Sequence, residues 1–153
     1  MSILLFALAL AAPLNPVSDE ARGDNQVTCS VNVQALDAEG RPRSARRVSA
    51  SVAPSVVFRG RVSPRDAEAP TLLFDVFNPR GQRYQILVAA PRVVTQERNG
   101  QRFERTTRIR QAALAVAGSS IAWTSMYGKW RVEPRLDGTQ KPCGRPEYFT
   151  IRP

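Results

Sequence analysis

From Val27 to Ala35 the chain alternates without a break. Val27, Cys29, Val31, Val33 and Ala35 fall on one parity, and Thr28, Ser30, Asn32 and Gln34 on the other. Successive side chains of an extended strand point to opposite faces, so this stretch specifies a strand with one apolar and one polar face. The same period returns near the C-terminus. In "GKWRVEPRL", Trp130, Val132, Pro134 and Leu136 share a parity, with Arg131, Glu133 and Arg135 between them; in "YFTIRP", Phe149 and Ile151 do the same. Even-numbered residues of the tryptophan strand are therefore expected inside, and the charged ones outside.

Turn chemistry punctuates the alternating runs. Asp37-Ala38-Glu39-Gly40 ends the first strand. Asn78-Pro79-Arg80-Gly81 separates 72–77 from 84–88, with Pro presetting φ and Gly tolerating positive φ. Asn99-Gly100 divides "VVTQER" from "QRFERTTRIR", the pair that a type I′ hairpin turn needs. Asp137-Gly138 precedes the last strand. "RIRQAALAVAGSS" is rich in helix formers, but Gly118 follows too soon for a helix and its surroundings alternate. A strand is expected there, with a bulge near Gln111. "RPRSARR" at 41–47 reads as a solvated, protease-sensitive connection. Short strands at regular spacing, without repeats or heptads, predict an all-β fold, an antiparallel sandwich.

The chain has 153 residues, enough for one domain and a short leader. Residues 1–11 carry an uncharged apolar run, too short to span a bilayer. They read as a signal peptide with Ala9-Leu10-Ala11 at its cleavage site, although no Lys or Arg precedes the run. Residues 12–25 form a polar linker, and 26–153 the domain. Two cysteines with no histidine and an exported chain fit one structural disulfide, Cys29–Cys143, better than a metal or redox site. Two buried free thiols go with the opposite reading, in which the leader is a first strand. Export makes the protein secreted or periplasmic, with no transmembrane span after processing.

The Gly-x-Trp-x-Val strand at 128–132, the "LDG" turn and the terminal "FTI" resemble the last hairpin of bacterial immunoglobulin-like and fibronectin-like domains. "FDVFNPRGQRYQ" is similar to their central hairpin. The resemblance covers about half the chain and implies the fold alone, since such domains host unrelated functions. The basic middle, Arg92 to Arg110, is a departure that the pattern does not require.

With no histidine, Ser-His-Asp and Cys-His catalysis and histidine metal sites are excluded. Asp75 and Glu133 are the carboxylates placed on strands near aromatics, but nothing in the sequence brings them together as a hydrolytic pair. No cofactor or metal cluster is expected, and the chain reads as non-enzymatic. Net charge is +9, with pI ≈ 10.9. Only Lys129 and Lys141 among the 22 basic residues are lysines. Arginine suits carboxylates, sulfates and phosphates, although a GC-rich genome also raises its frequency.

Arg92, Arg98, Arg102, Arg105, Arg108 and Arg110 concentrate this charge on the Asn99-Gly100 hairpin, with Arg102, Arg108 and Arg110 at spacings that share a side. The same residues on an exposed hairpin discourage edge-to-edge association. Six Phe, three Tyr and two Trp, mostly at core parities, are too few among the arginines for a nucleic-acid stacking platform. The sequence thus predicts a recognition or assembly module of the envelope or extracellular space that binds a protein through exposed strands. The alternative is a binder of anionic polysaccharide or lipopolysaccharide through the arginine hairpin.

Overall fold

The computed structural model describes residues 27–63 and 71–153. The expected leader at 1–11 and linker at 12–25 lie outside the described residues. Ten strands and one short helix follow in order: β1 (Thr28–Leu36), β2 (Pro42–Ser44), β3 (Val48–Ser49), β4 (Ser55–Ser63), β5 (Leu72–Phe77), β6 (Arg83–Val88), β7 (Ala90–Arg98), β8 (Gln101–Ala115), α1 (Ser120–Trp123), β9 (Gly128–Leu136) and β10 (Glu147–Arg152). They form two five-stranded sheets. Sheet I runs β2-β1-β4-β8-β7 and sheet II runs β3-β10-β9-β5-β6. All pairings are antiparallel except β3 with β10.

The order β1-β4-β8-β7 against β10-β9-β5-β6 is that of the A-B-E-D and G-F-C-C′ sheets of the immunoglobulin arrangement. The protein is therefore an immunoglobulin-like β-sandwich with one disulfide. Its core follows the parity of the strands. Trp130, Val132, Pro134 and Leu136 are buried on β9, as are Phe149 and Ile151 on β10 and Cys29, Val31 and Ala35 on β1. Trp130 stacks on Phe149 at 6.0 Å and meets Tyr84 edge-on at 5.2 Å, while its indole N–H donates to Met126 O at 3.1 Å. Packing two rings on an indole whose N–H is satisfied lets a large side chain be fully enclosed.

The Cys29–Cys143 bridge ties β1 of sheet I to the β9–β10 connection of sheet II, with Cα atoms 5.1 Å apart. It spans 114 residues of chain, for which loop-closure entropy gives about 4–5 kcal/mol. Backbone bonds from Cys29 N to Cys143 O (2.7 Å) and from Cys143 N to Pro134 O (2.9 Å) hold the crossing. Gly144 follows because a Cβ there would run into the carbonyl of Cys29.

The structure corrects or refines three local expectations. "RPRSARR" is not a plain loop: β2 pairs with β1, Ala45 and Val48 are buried, and β3 joins β10 just beyond it. The bulge expected near Gln111 falls at 107–109 of β8, which face Arg92 alone where pairing shifts between Pro91 and Val93. It is not needed to bury Phe103, which is half-exposed in a hairpin that leaves the core. Finally, the strand expected before Gly118 forms and ends at Ala115, and after the glycine the chain makes α1, capped by Ser119 Oγ accepting from Ile121 N.

Candidate recognition surfaces

The registers fix which side chains leave the outer face of sheet I. Phe58 on β4 is fully buried, so Arg59 and Arg61 fall on the opposite, outward parity. The Arg59 guanidinium donates to Gln34 Oε1 at 2.7 Å across the β1–β4 ladder. Its Nε is buried without a partner among the described residues. Burial first, then the charge of Arg92, push the Arg59 guanidinium below its ordinary pKa. The outward positions of β1, β4, β8 and β7 hold Ser, Thr, Asn, Gln, Val, Leu, Ile, Ala, Phe and Arg, but no Asp or Glu.

β4 pairs with β8 only from Gly60↔Arg110 to Ser55↔Ala115. Beyond Arg110, β8 continues with β7 alone as a two-stranded arm. Asn99 and Gly100 turn it at φ 54° and 74°, as the sequence requires. Cross-strand partners share a face. Val94↔Arg105, Gln96↔Phe103 and Arg98↔Gln101 make one side of the arm; Val93↔Thr106, Thr95↔Glu104 and Glu97↔Arg102 make the other. The arginines of the arm are thus sorted. Arg98 and Arg105 stand apart from carboxylates, whereas Arg102 sits among Glu97 and Glu104.

Arg102 and Arg110 share a parity through their partners Glu97 and Pro91 on β7, while Arg108 lies in the stretch 107–109, which has no partner in the ladder. Arg110 opposes Gly60, which faces the inter-sheet space against Leu72 and Phe74, and the shift opposite 107–109 separates Arg108 from Arg102. Arg108 instead lines a groove of about 580 Å³ at the base of the arm with Arg61, Arg105, Val94 and Gln96.

The outer face of sheet II is built differently. Asp75 on β5 and Glu133 on β9 are direct cross-strand partners, a meeting the sequence did not show. Each carboxylate is engaged by arginine. Arg135 grips Asp75 with two N–H groups, Nε to Oδ2 at 2.6 Å and Nη2 to Oδ1 at 3.3 Å. The Asp75 hydrogen bond, opposed by burial and aided by its charge, raises Arg135 above its ordinary pKa. Arg131 Nε lies 3.2 Å from Glu133 Oε1, in ion-pair contact but without hydrogen-bond alignment. Its guanidinium also covers the Phe77 ring at 4.2 Å.

Among the four sheet edges formed by the described residues, three are guarded. β2 has three residues and begins with Pro42, β3 has two, and β7 carries Pro91, Arg92, Glu97 and Arg98. β6, "RYQILV", has six residues and no Pro, and its one charge is Arg83 at the start. Ile86 and Val88 on its outer side are 43% and 64% exposed. Trp123, 82% exposed at the end of α1 with its indole N–H on Gly118 O, also escaped the sequence reading.

Among the described residues no group of three or more His, Cys, Asp or Glu is placed to hold a metal, and no helix is long and apolar enough to cross a membrane. No protein-family model matches the chain, and no curated protein matches it. Among solved structures it is similar to an immunoglobulin-like protein from Pseudomonas aeruginosa, at 13% identity and a TM-score of 0.43, over 85% of this chain and 100% of that one.

Proposed function

We propose that this chain is a non-enzymatic recognition module of the periplasm, envelope or extracellular space, and that it binds a protein partner by strand addition at β6. The unguarded β6 edge carries this reading. A partner strand would satisfy the outward backbone N–H and C=O groups of β6 and cover Ile86 and Val88. Export is supported by the apolar run at 1–11 and by the Cys29–Cys143 bridge, since disulfides persist in oxidising compartments. The non-enzymatic reading is supported by the missing histidine and by the arginines that engage Asp75 and Glu133.

The test is affinity capture from the host's envelope fraction, washed in low and then high salt, with the wild type and an Ile86→Lys/Val88→Lys variant. A lysine on an exposed edge blocks pairing without disturbing the core. The wild type should retain a stoichiometric protein through high salt, and the variant should lose it at an unchanged melting temperature. Equal retention by the variant would exclude the β6 edge.

A further inference from the structure

The basic face of sheet I is left unused by strand addition at β6. Arg59 and Arg61 on β4, Arg92 and Arg98 on β7 and Arg105 on β8 fall on its outward parity, with no described carboxylate between them and no ion pair to any described residue. Arg61 and Arg105, joined by Arg108, line the groove at the base of the arm. The stranded Arg59 Nε and the neighbouring Arg92 charge show like charges held together and partly desolvated. A polyanion would relieve that repulsion.

The remaining groups narrow the ligand. Guanidinium forks fit carboxylates and sulfates bidentately. Between them stand Asn32, Gln34, Gln96, Gln101 and Gln111, whose amides both donate to and accept from hydroxyl groups. Phe103 is the one aromatic on this face of the arm, too little for successive bases to stack. Arg59 and Arg61 are about 7 Å apart along β4, and β7 lies two strands or about 10 Å away. That grid matches charges repeating along a hydroxyl-rich chain rather than one small anion.

We propose that the outer face of sheet I and the groove beneath the arm bind a linear anionic polysaccharide, carboxylated or sulfated, with Arg59, Arg61, Arg92, Arg98 and Arg105 as its anion contacts. The site stands apart from the β6 edge and survives its failure.

The purified protein is titrated with alginate, heparin and neutral dextran, and in parallel with single-stranded DNA and with anionic phospholipid vesicles. Two double variants lose the same charge: Arg61→Gln/Arg105→Gln on the proposed face, and Arg47→Gln/Arg102→Gln away from it. All four positions are exposed, so both variants should fold. Alginate and heparin should bind and dextran should not, with affinity falling steeply as salt rises. The first variant should weaken binding roughly tenfold or more and the second less than about twofold. Equal losses would reduce the effect to diffuse net charge and overturn the site. Tighter binding to DNA or vesicles than to either polysaccharide, lost in the first variant, would overturn the ligand class.

Discussion

The two outer faces of this sandwich handle charge in opposite ways. On sheet II, Asp75 is held by Arg135 and Glu133 by Arg131, and Lys129 lies over the Tyr148 ring at 4.3 Å. Leu73 and Asp75, both outward, are only 7% and 5% exposed there. On sheet I the outward charges are all arginine and have no described carboxylate to meet. One face pairs its charges within the fold; the other leaves its arginines without a described carboxylate partner. The polysaccharide proposal rests on that difference.

The largest effect should come from breaking the sheet II pair. The Asp75 and Arg135 side chains are 7% and 13% exposed, so removing the carboxylate strands a cation that water reaches poorly. Asp75→Ala should cost about 3 kcal/mol by chemical denaturation, the low end for a broken buried pair. The low end applies because Arg135 keeps its bond to Thr139 O at 2.8 Å. Replacing both partners, as Asp75→Leu/Arg135→Met, should recover most of that loss, because the stranded charge is the cost. A double variant as unstable as the single would mean that the pair's packing, not its charge, matters.

What could be read in advance follows from how locally each feature is encoded. The buried parity of β9 and the Asn99-Gly100 turn depend on neighbours in sequence, and both were legible. The cysteine pairing followed from elimination and compartment rather than geometry. β2 and β3 have three and two residues, too short to show a period. The sorting of arginines was illegible for a different reason. Which face Arg98, Arg102, Arg105 or Arg110 occupies depends on where the arm leaves β4 and on the shift opposite 107–109. Arg59 and Arg61 lie far from the hairpin in sequence and join it only through the sheet. Likewise Asp75 and Arg135 are 60 residues apart.

A smaller effect tests the exposed end of the sheet II network. Arg131 and Glu133 are 37% and 20% exposed, and their contact is not aligned as a hydrogen bond. Solvent screens such a pair, so Glu133→Gln should cost on the order of 0.5 kcal/mol. Arg131 would keep its place over Phe77. A loss as large as that of Asp75→Ala would show that the carboxylates act as a coupled network across β5 and β9, and additivity of the two single variants is the direct check.

The smallest effect carries the sharpest sign. On sheet II every charge deletion should destabilise, whereas Arg59→Met on sheet I should be neutral or stabilising, by up to about 1 kcal/mol. The substitution gives up one hydrogen bond to Gln34. In return it removes a buried Nε–H that has no described acceptor, and the repulsion from Arg92 that lowers the Arg59 pKa. Methionine retains much of the aliphatic stem that packs on the sheet. The same variant should bind alginate more weakly. A rise in melting temperature together with a loss of binding is the pattern of a residue kept for function at the expense of the fold. Were Arg59→Met to destabilise by as much as Asp75→Ala, Arg59 would be a structural residue and the two faces would differ in composition but not in kind.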